Sequence, residues 1–182
     1  MDQTAQQTQK FRREVFDWVE IVAFSIVAVV FLLTFLFRIV GIEGGSMENT
    51  LHEGERVMVS GLFYTPDNGD IIVITQPNFS NKPLIKRVIA VGNQTIDIDY
   101  ETGTVYLDGQ PIEEPYLGSG TFLQGDTPLP LTVPEGKVFV MGDNRMRSTD
   151  SRDSLVGLID ERYILGKVIF RISPLNKIGV VH

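Results

Sequence analysis

A serine and a lysine, with no histidine placed to help them, are the first chemistry this sequence offers. Ser46 lies in Gly44-Gly45-Ser46-Met47-Glu48-Asn49-Thr50-Leu51, and Lys86 lies in Pro83-Leu84-Ile85-Lys86-Arg87-Val88-Ile89. A serine hydroxyl becomes a strong nucleophile when a nearby base takes its proton, and a neutral amine can be that base. Ile85 and Val88 beside Lys86 are apolar, so the strand alternation is not clean. Turned inward, Lys86 would lose its water, and desolvation disfavours the ammonium form. Moving an amine from about 10.4 to near 8 costs roughly 3 kcal/mol, which one buried site can supply. Each residue alone is ordinary: a serine after two glycines is most often a turn residue, and a strand lysine usually points to solvent.

Other chemistries are excluded or unsupported by composition. The absence of cysteine removes disulfides, thiolate catalysis and cysteine-based zinc sites. His52 and His182 lie far apart, so neither a histidine base nor a histidine metal site is expected, and no cofactor is implied. The net charge of −7 and the lack of a long basic tract argue against nucleic acid as a partner.

A third polar segment runs from Gly142 to Arg152 and crowds together Asp143, Asn144, Arg145, Ser148, Asp150, Ser151 and Arg152. It reads either as a solvated loop or as a buried network. In the second case Asp150 pairs with Arg152 and Ser148 orients the Lys86 amine, the supporting role that a nucleophile–base pair requires.

The elements that must position these residues start with a membrane anchor. From Ile21 to Phe37 there is no charge, and Ile39 and Val40 extend the run. About 17 helical residues span roughly 26 Å, close to a bilayer core of about 30 Å. Trp18 suits the interface, and no small-x-small cleavage site follows the run. Lys10, Arg12 and Arg13 precede the run and Arg38 follows it, which sets the N-terminus in the cytoplasm. The expected division is a cytoplasmic tail over 1–17, disordered at its start, a single transmembrane helix over 18–40, and an extracytoplasmic domain over 41–182.

That domain reads as mainly β and antiparallel, of sandwich or barrel type. Strands are expected at Ile71–Ile74, Lys86–Val91, Thr95–Asp99, Thr104–Leu107, Val138–Met141 and Lys167–Ile172. Asp108-Gly109 is a hairpin turn signal, because the type I′ turn needs positive φ at both positions. Asp160 to Tyr163 has room for one helical turn, and the proline-rich stretch from Pro111 to Pro134 reads as a surface excursion.

Taken in order behind an anchor, the three segments resemble the bacterial type I signal peptidases, in their Gram-positive form. The family pattern Ser-Met-x-Pro-Thr-Leu corresponds to Ser46–Leu51 with Asn49 in place of proline. The pattern Lys-Arg-Val-x-Ala/Gly corresponds to Lys86–Ala90, and Gly-Asp-Asn-x…Ser-x-Asp-Ser-Arg to Gly142–Arg152. Gly92-Asn93, Gly157, Gly166-Lys167 and Phe170-Arg171 extend the likeness, Asn93 standing where aspartate is common. The resemblance implies a signal-peptidase-like Ser-Lys protease fold, with Ser46 as nucleophile and Lys86 as general base. Ser148 would bond the lysine, Asp150 and Arg152 would form the supporting ion pair, and Ile42, Met47, Leu51, Leu84 and Ile85 would line the substrate pockets. Gly44 occupies the place of an oxyanion-hole serine in some members, which leaves the Ser46 backbone N–H as donor. The implied partners are signal peptides of exported precursors, membrane lipid and the secretion translocon. Two other readings stay open: a related Ser-Lys protease dedicated to one partner, such as a pilin or conjugation protein, and a membrane-tethered β domain that only binds.

Overall fold

The computed structural model describes residues 3–75 and 82–181. The chain divides into two compact units, 1–37 and 38–182. The first is a single helix, α1 (Gln3–Leu36). It runs through the stretch that composition reads as a disordered tail. The reason is propensity: Gln, Ala, Lys, Arg and Glu are good helix formers, and a helix already nucleated in the apolar run propagates into them at little cost. Among its described apolar side chains, Trp18 is 68% and Phe24 76% exposed. Among the described residues no helix is long and apolar enough to cross a membrane. The run expected to do so includes Leu32, Leu33 and Phe35, whose side chains lie outside the described residues.

The second unit is antiparallel β. Its strands are β1 (Phe37–Gly41), β2 (Arg56–Ser60), β3 (Ile71–Ile74), β4 (Leu84–Ala90), β5 (Thr95–Asp99), β6 (Thr104–Leu107), β7 (Gln110–Pro111), β8 (Leu131–Thr132), β9 (Lys137–Met141), β10 (Ile159–Asp160), β11 (Ile164–Ser173) and β12 (Gly179–Val180). The larger sheet has the order β1-β2-β11-β3-β4-β9-β10, with β12 paired to β11; the smaller has the order β7-β6-β5-β8. β1 starts at Phe37, so strand begins four residues before the expected domain start at 41. A 3₁₀ turn at Glu161–Tyr163, capped by Asp160, occupies the short helical stretch expected there.

β3 and β4 lie inside the larger sheet, and all four residues of β3 and the last five of β4 are buried. A strand covered on both faces needs no polar alternation, which is why the pattern around Lys86 is irregular in sequence. Three apolar clusters hold the unit together. One, with Ile42, Met47, Leu51, Val57, Val59 and Val73, lies under the Ser46 turn. A second packs β5 and β6 against Phe139 and Met141. The third gathers Ile72, Ile74, Val88, Val140 and Ile159. The stretch from Pro111 to Pro134 is more than a surface excursion. It carries β8, which pairs with β5, and it buries Thr121 and Val133 completely.

Two turns depend on special backbone. Asp108 and Gly109 have φ of 50° and 76° and join β6 to β7, the geometry that the sequence signals. Gly166, with φ 149°, sits where β11 crosses from β3 to β2, and a Cβ there would lie 2.3 Å from the Ser60 carbonyl oxygen. Gly166→Ala should therefore destabilise the domain by more than about 2 kcal/mol, since backbone must move. Gly109→Ala, which meets nothing within 4 Å, should cost only about 1 kcal/mol of backbone strain. Thermal unfolding of the two variants checks the ordering; equal losses would contradict the close approach.

Candidate active site

Ser46 is set by a tight turn that leaves the edge of the larger sheet. Glu48 N–H donates to the Gly45 carbonyl at 3.2 Å, and Thr50 and Leu51 N–H groups donate to the Met47 carbonyl at 3.0 and 2.8 Å. Asn49, where proline is usual in the pattern, has φ 95°. Proline is locked near −65°, so this turn is one that proline could not adopt. From the other side, Asn144 N–H donates to the Ser46 carbonyl at 3.0 Å. The Ser46 turn and the polar segment are thus joined by main chain.

Lys86 projects from β4 to the same point. Its Nζ donates to Ser46 Oγ at 2.8 Å, and the lysine is only 3% exposed. Burial pushes the Lys86 amine down to about 8; Arg152 lowers it further, while Asp150 and Asp143 pull the other way. A serine hydroxyl in hydrogen-bond contact with an amine that loses its proton near neutrality is a competent nucleophile–base pair.

Asp150 and Arg152 form the expected pair. Arg152 Nε donates to Asp150 Oδ1 at 2.8 Å and Nη2 to Oδ2 at 2.9 Å, both groups being buried. Burial alone would raise the Asp150 carboxyl, but the hydrogen bonds and charge of Arg152 outweigh it and hold it low. The Gly142 N–H also donates to Asp150, at 3.0 Å. The Ser148 hydroxyl is buried near Asp150, close enough to help keep it ionised, yet it makes no good hydrogen bond and donates nothing to Lys86. Gly142 lies between Ser148 and Ser46: a Cβ there would be 2.3 Å from Ser148 Oγ and 2.4 Å from the Ser46 carbonyl oxygen.

Two further ion pairs escaped the sequence reading. Arg87 Nε and Nη2 donate to Asp143 at 2.9 and 2.7 Å, Thr50 Oγ1 donates to the same carboxylate, and the Arg87 guanidinium stacks on Tyr116 at 3.8 Å. Arg145 donates to the Gly142 carbonyl at 3.0 Å and to both oxygens of Glu114. Arg87 and Asp143 were visible inside the motifs, but nothing in their spacing pairs residues on β4 with the loop after β9. Glu114 stood in the proline-rich stretch, with Pro115 beside it as the one hint of rigid backbone.

A cleft of about 420 Å³ opens beside Ser46 and Lys86, lined on one side by residues 40–44 and Met47, and on the other by residues 82–85. Ile42, Met47, Leu84 and Ile85 therefore reach the cleft as expected. Leu51 does not; it is fully buried in the cluster beneath, where it supports Ile42 and Met47. Among the described residues no group of His, Asp or Glu side chains could hold a metal ion.

Removing the charge of Lys86 gives a signed test of its burial. The folded-state value is depressed from 10.5 to about 8, so the penalty of the buried ammonium sets in as pH falls below 10.5 and is fully present below 8. Below pH 8 the buried ammonium costs on the order of 3 kcal/mol. Lys86→Met should thus raise the melting temperature at pH 6.5, with the gain fading between pH 8 and 10.5. A variant no more stable than wild type at pH 6.5 would contradict the desolvated ammonium.

The sequence has known relatives. Residues 15–173 match the family model described as "Signal peptidase, peptidase S26". The chain is similar to a signal peptidase I from Bacillus licheniformis, at 37% identity over 96% of this chain and 97% of that one. It is also similar to signal peptidase I T from Bacillus subtilis (strain 168), at 35% identity over 96% and 93%. With signal peptidase IB from Staphylococcus aureus (strain COL) the identity is 34% over 91% and 93%. With the match covering the Ser46 turn, the strand of Lys86 and the loop from Gly142 to Arg152, the chain belongs to the signal peptidase I family of serine peptidases.

Proposed function

We propose that this chain is a signal peptidase I that cleaves signal peptides from exported precursors, with Ser46 as nucleophile and Lys86 as general base. The observation that carries the reading is the 2.8 Å hydrogen bond from a desolvated Lys86 to Ser46 Oγ. That intact contact speaks against the binding-only alternative. A precursor would lie extended between the two walls of the cleft, pairing with backbone as an added strand. Its first and third side chains before the cut would point inward together, toward Ile42 and Met47 on one side and Leu84 and Ile85 on the other. Such shallow apolar walls accept Ala or Gly and reject large or charged groups.

Ser46 Oγ attacks the scissile carbonyl while Lys86 takes its proton. The Ser46 backbone N–H faces the developing oxyanion, since Gly44 offers no side-chain donor. Lys86 returns the proton to the leaving amine, the new N-terminus of the mature protein. Water, activated by the same amine, then hydrolyses the acyl-enzyme. Asp150, Arg152 and Ser148 act as positioning residues that shape the pocket around the Lys86 amine. Ser46→Ala and Lys86→Ala should each lower precursor cleavage by at least about a thousandfold, because nucleophile and base act as one unit. For the wild type, the rate should rise about tenfold per pH unit below 8 and level above it, as the amine loses its proton. Substantial turnover by either variant would remove the dyad, and an optimum near pH 5 would point to a different base.

The cellular setting follows from α1. A helix whose Trp18 and Phe24 are largely exposed, continued by the charge-free run to Phe37, is supported as a single-pass anchor in the cell membrane. Lys10, Arg12 and Arg13 put the N-terminus in the cytoplasm, so the β domain works on the outer face, beside lipid and the secretion translocon. Protease added to intact protoplasts should digest the β domain and leave the N-terminal segment protected. Full protection of the β domain would reverse this topology.

A further inference from the structure

The side chains lining the cleft are apolar apart from Ser46, Lys86 and two charged ones that meet each other, Glu43 and Lys82. Glu43 belongs to the wall that leads into Ser46, and Lys82 to the wall that leads into Lys86. Their side chains are 2.6 Å apart, Lys82 Nζ to Glu43 Oε2, with 74% and 70% of the two side chains exposed. Strand pairing does not bring them together: β2, β11 and β3 separate β1 from β4 in the sheet. The ion pair is therefore a bridge over the groove, made by side chains alone.

An extended peptide between these walls sends alternate side chains in and out. Those directed inward meet apolar walls; those directed outward meet Glu43 and Lys82. The geometry points to Glu43 and Lys82 as specificity-determining residues that set the charge tolerance of the substrate segment before the cut. An exposed ion pair is held only weakly, so a substrate opens it at little cost. Once it opens, an acidic substrate side chain takes Lys82 in exchange for Glu43, and a basic one takes Glu43 in exchange for Lys82. Together the two residues admit either sign. Either one alone repels its own sign, and selection then acts by exclusion.

This rests on reading the cleft as the precursor groove, and the test separates the two claims. Three precursors are prepared that differ only in the second residue before the scissile bond, as Asp, Ser or Lys. The full chain is assayed in detergent micelles for kcat/KM on each. Wild type should cleave the three at rates within about twofold of one another. Lys82→Ala should shift the ratio of Asp to Lys precursor down by about fivefold, and Glu43→Ala should shift it up by the same factor. The exchanged pair, Glu43→Lys with Lys82→Glu, should restore the wild-type ratio, and about 0.5 M salt should compress all the differences. Ratios that do not move, or that move the same way in both single variants, overturn the inference. Ser46→Ala, assayed alongside on the Ser precursor, reports on the groove itself: if it still cleaves, the site reading has failed, and if it is inert while the ratios stay fixed, only the charge inference falls.

Discussion

The structure turns on the burial of one amine. An ammonium removed from water is disfavoured by several kcal/mol unless it is paired, and Lys86 is 3% exposed with a neutral hydroxyl as its hydrogen-bond partner. The site avoids full pairing. Asp150 and Asp143 are near enough to pull the amine upward, yet each is already engaged by its own arginine, Arg152 and Arg87. A free carboxylate beside Lys86 would keep it protonated and useless as a base. Neutralised carboxylates leave desolvation as the largest influence, and the amine falls to about 8.

Much of the remaining domain holds that environment still. The β3 and β4 strands supply a dry floor, and β4 carries Lys86 and Arg87 on successive residues, so the buried amine and a buried guanidinium leave the same strand. The loop after β9 supplies Gly142, Asp143, Arg145, Asp150 and Arg152. Each of its charges is satisfied by a partner, some from distant segments: Arg87 on β4, Thr50 in the nucleophile turn, Glu114 in the proline-rich stretch. Buried polar networks of this kind are costly when incomplete and rigid when complete. Gly142 concentrates the constraint, because its amide bonds Asp150, its carbonyl accepts from Arg145, and its missing side chain leaves room for the Ser148 hydroxyl and the Ser46 carbonyl.

Local features of the sequence foretold local features of the structure. The hairpin at Asp108-Gly109 and the strands at Ile71–Ile74 and Thr95–Asp99 were legible because turn chemistry and alternation act over a few residues. The union of Ser46, Lys86 and the Gly142–Arg152 loop was legible through motif order. The pairing of Arg145 with Glu114 was not, since it depends on how the smaller sheet docks its loop, a long-range outcome without a local signature. Leu51 shows the same limit from the other side. Its place in the motif marks it as near the site, but only packing decides that it supports Met47 from below rather than facing the cleft. The helical start at Gln3 differs from a disordered tail because composition reports solubility, whereas propensity and continuity with the apolar run decide the local backbone.

The central claim is that Lys86 is a buried amine that loses its proton near pH 8 while bonded to Ser46. The most direct measurement is a nuclear magnetic resonance titration of lysine side chains in the full chain in micelles, with Lys86 assigned by comparison with Lys86→Arg. The account predicts a Lys86 signal with its midpoint near pH 8. A Lys86 midpoint at the ordinary lysine value of about 10.4 would contradict it.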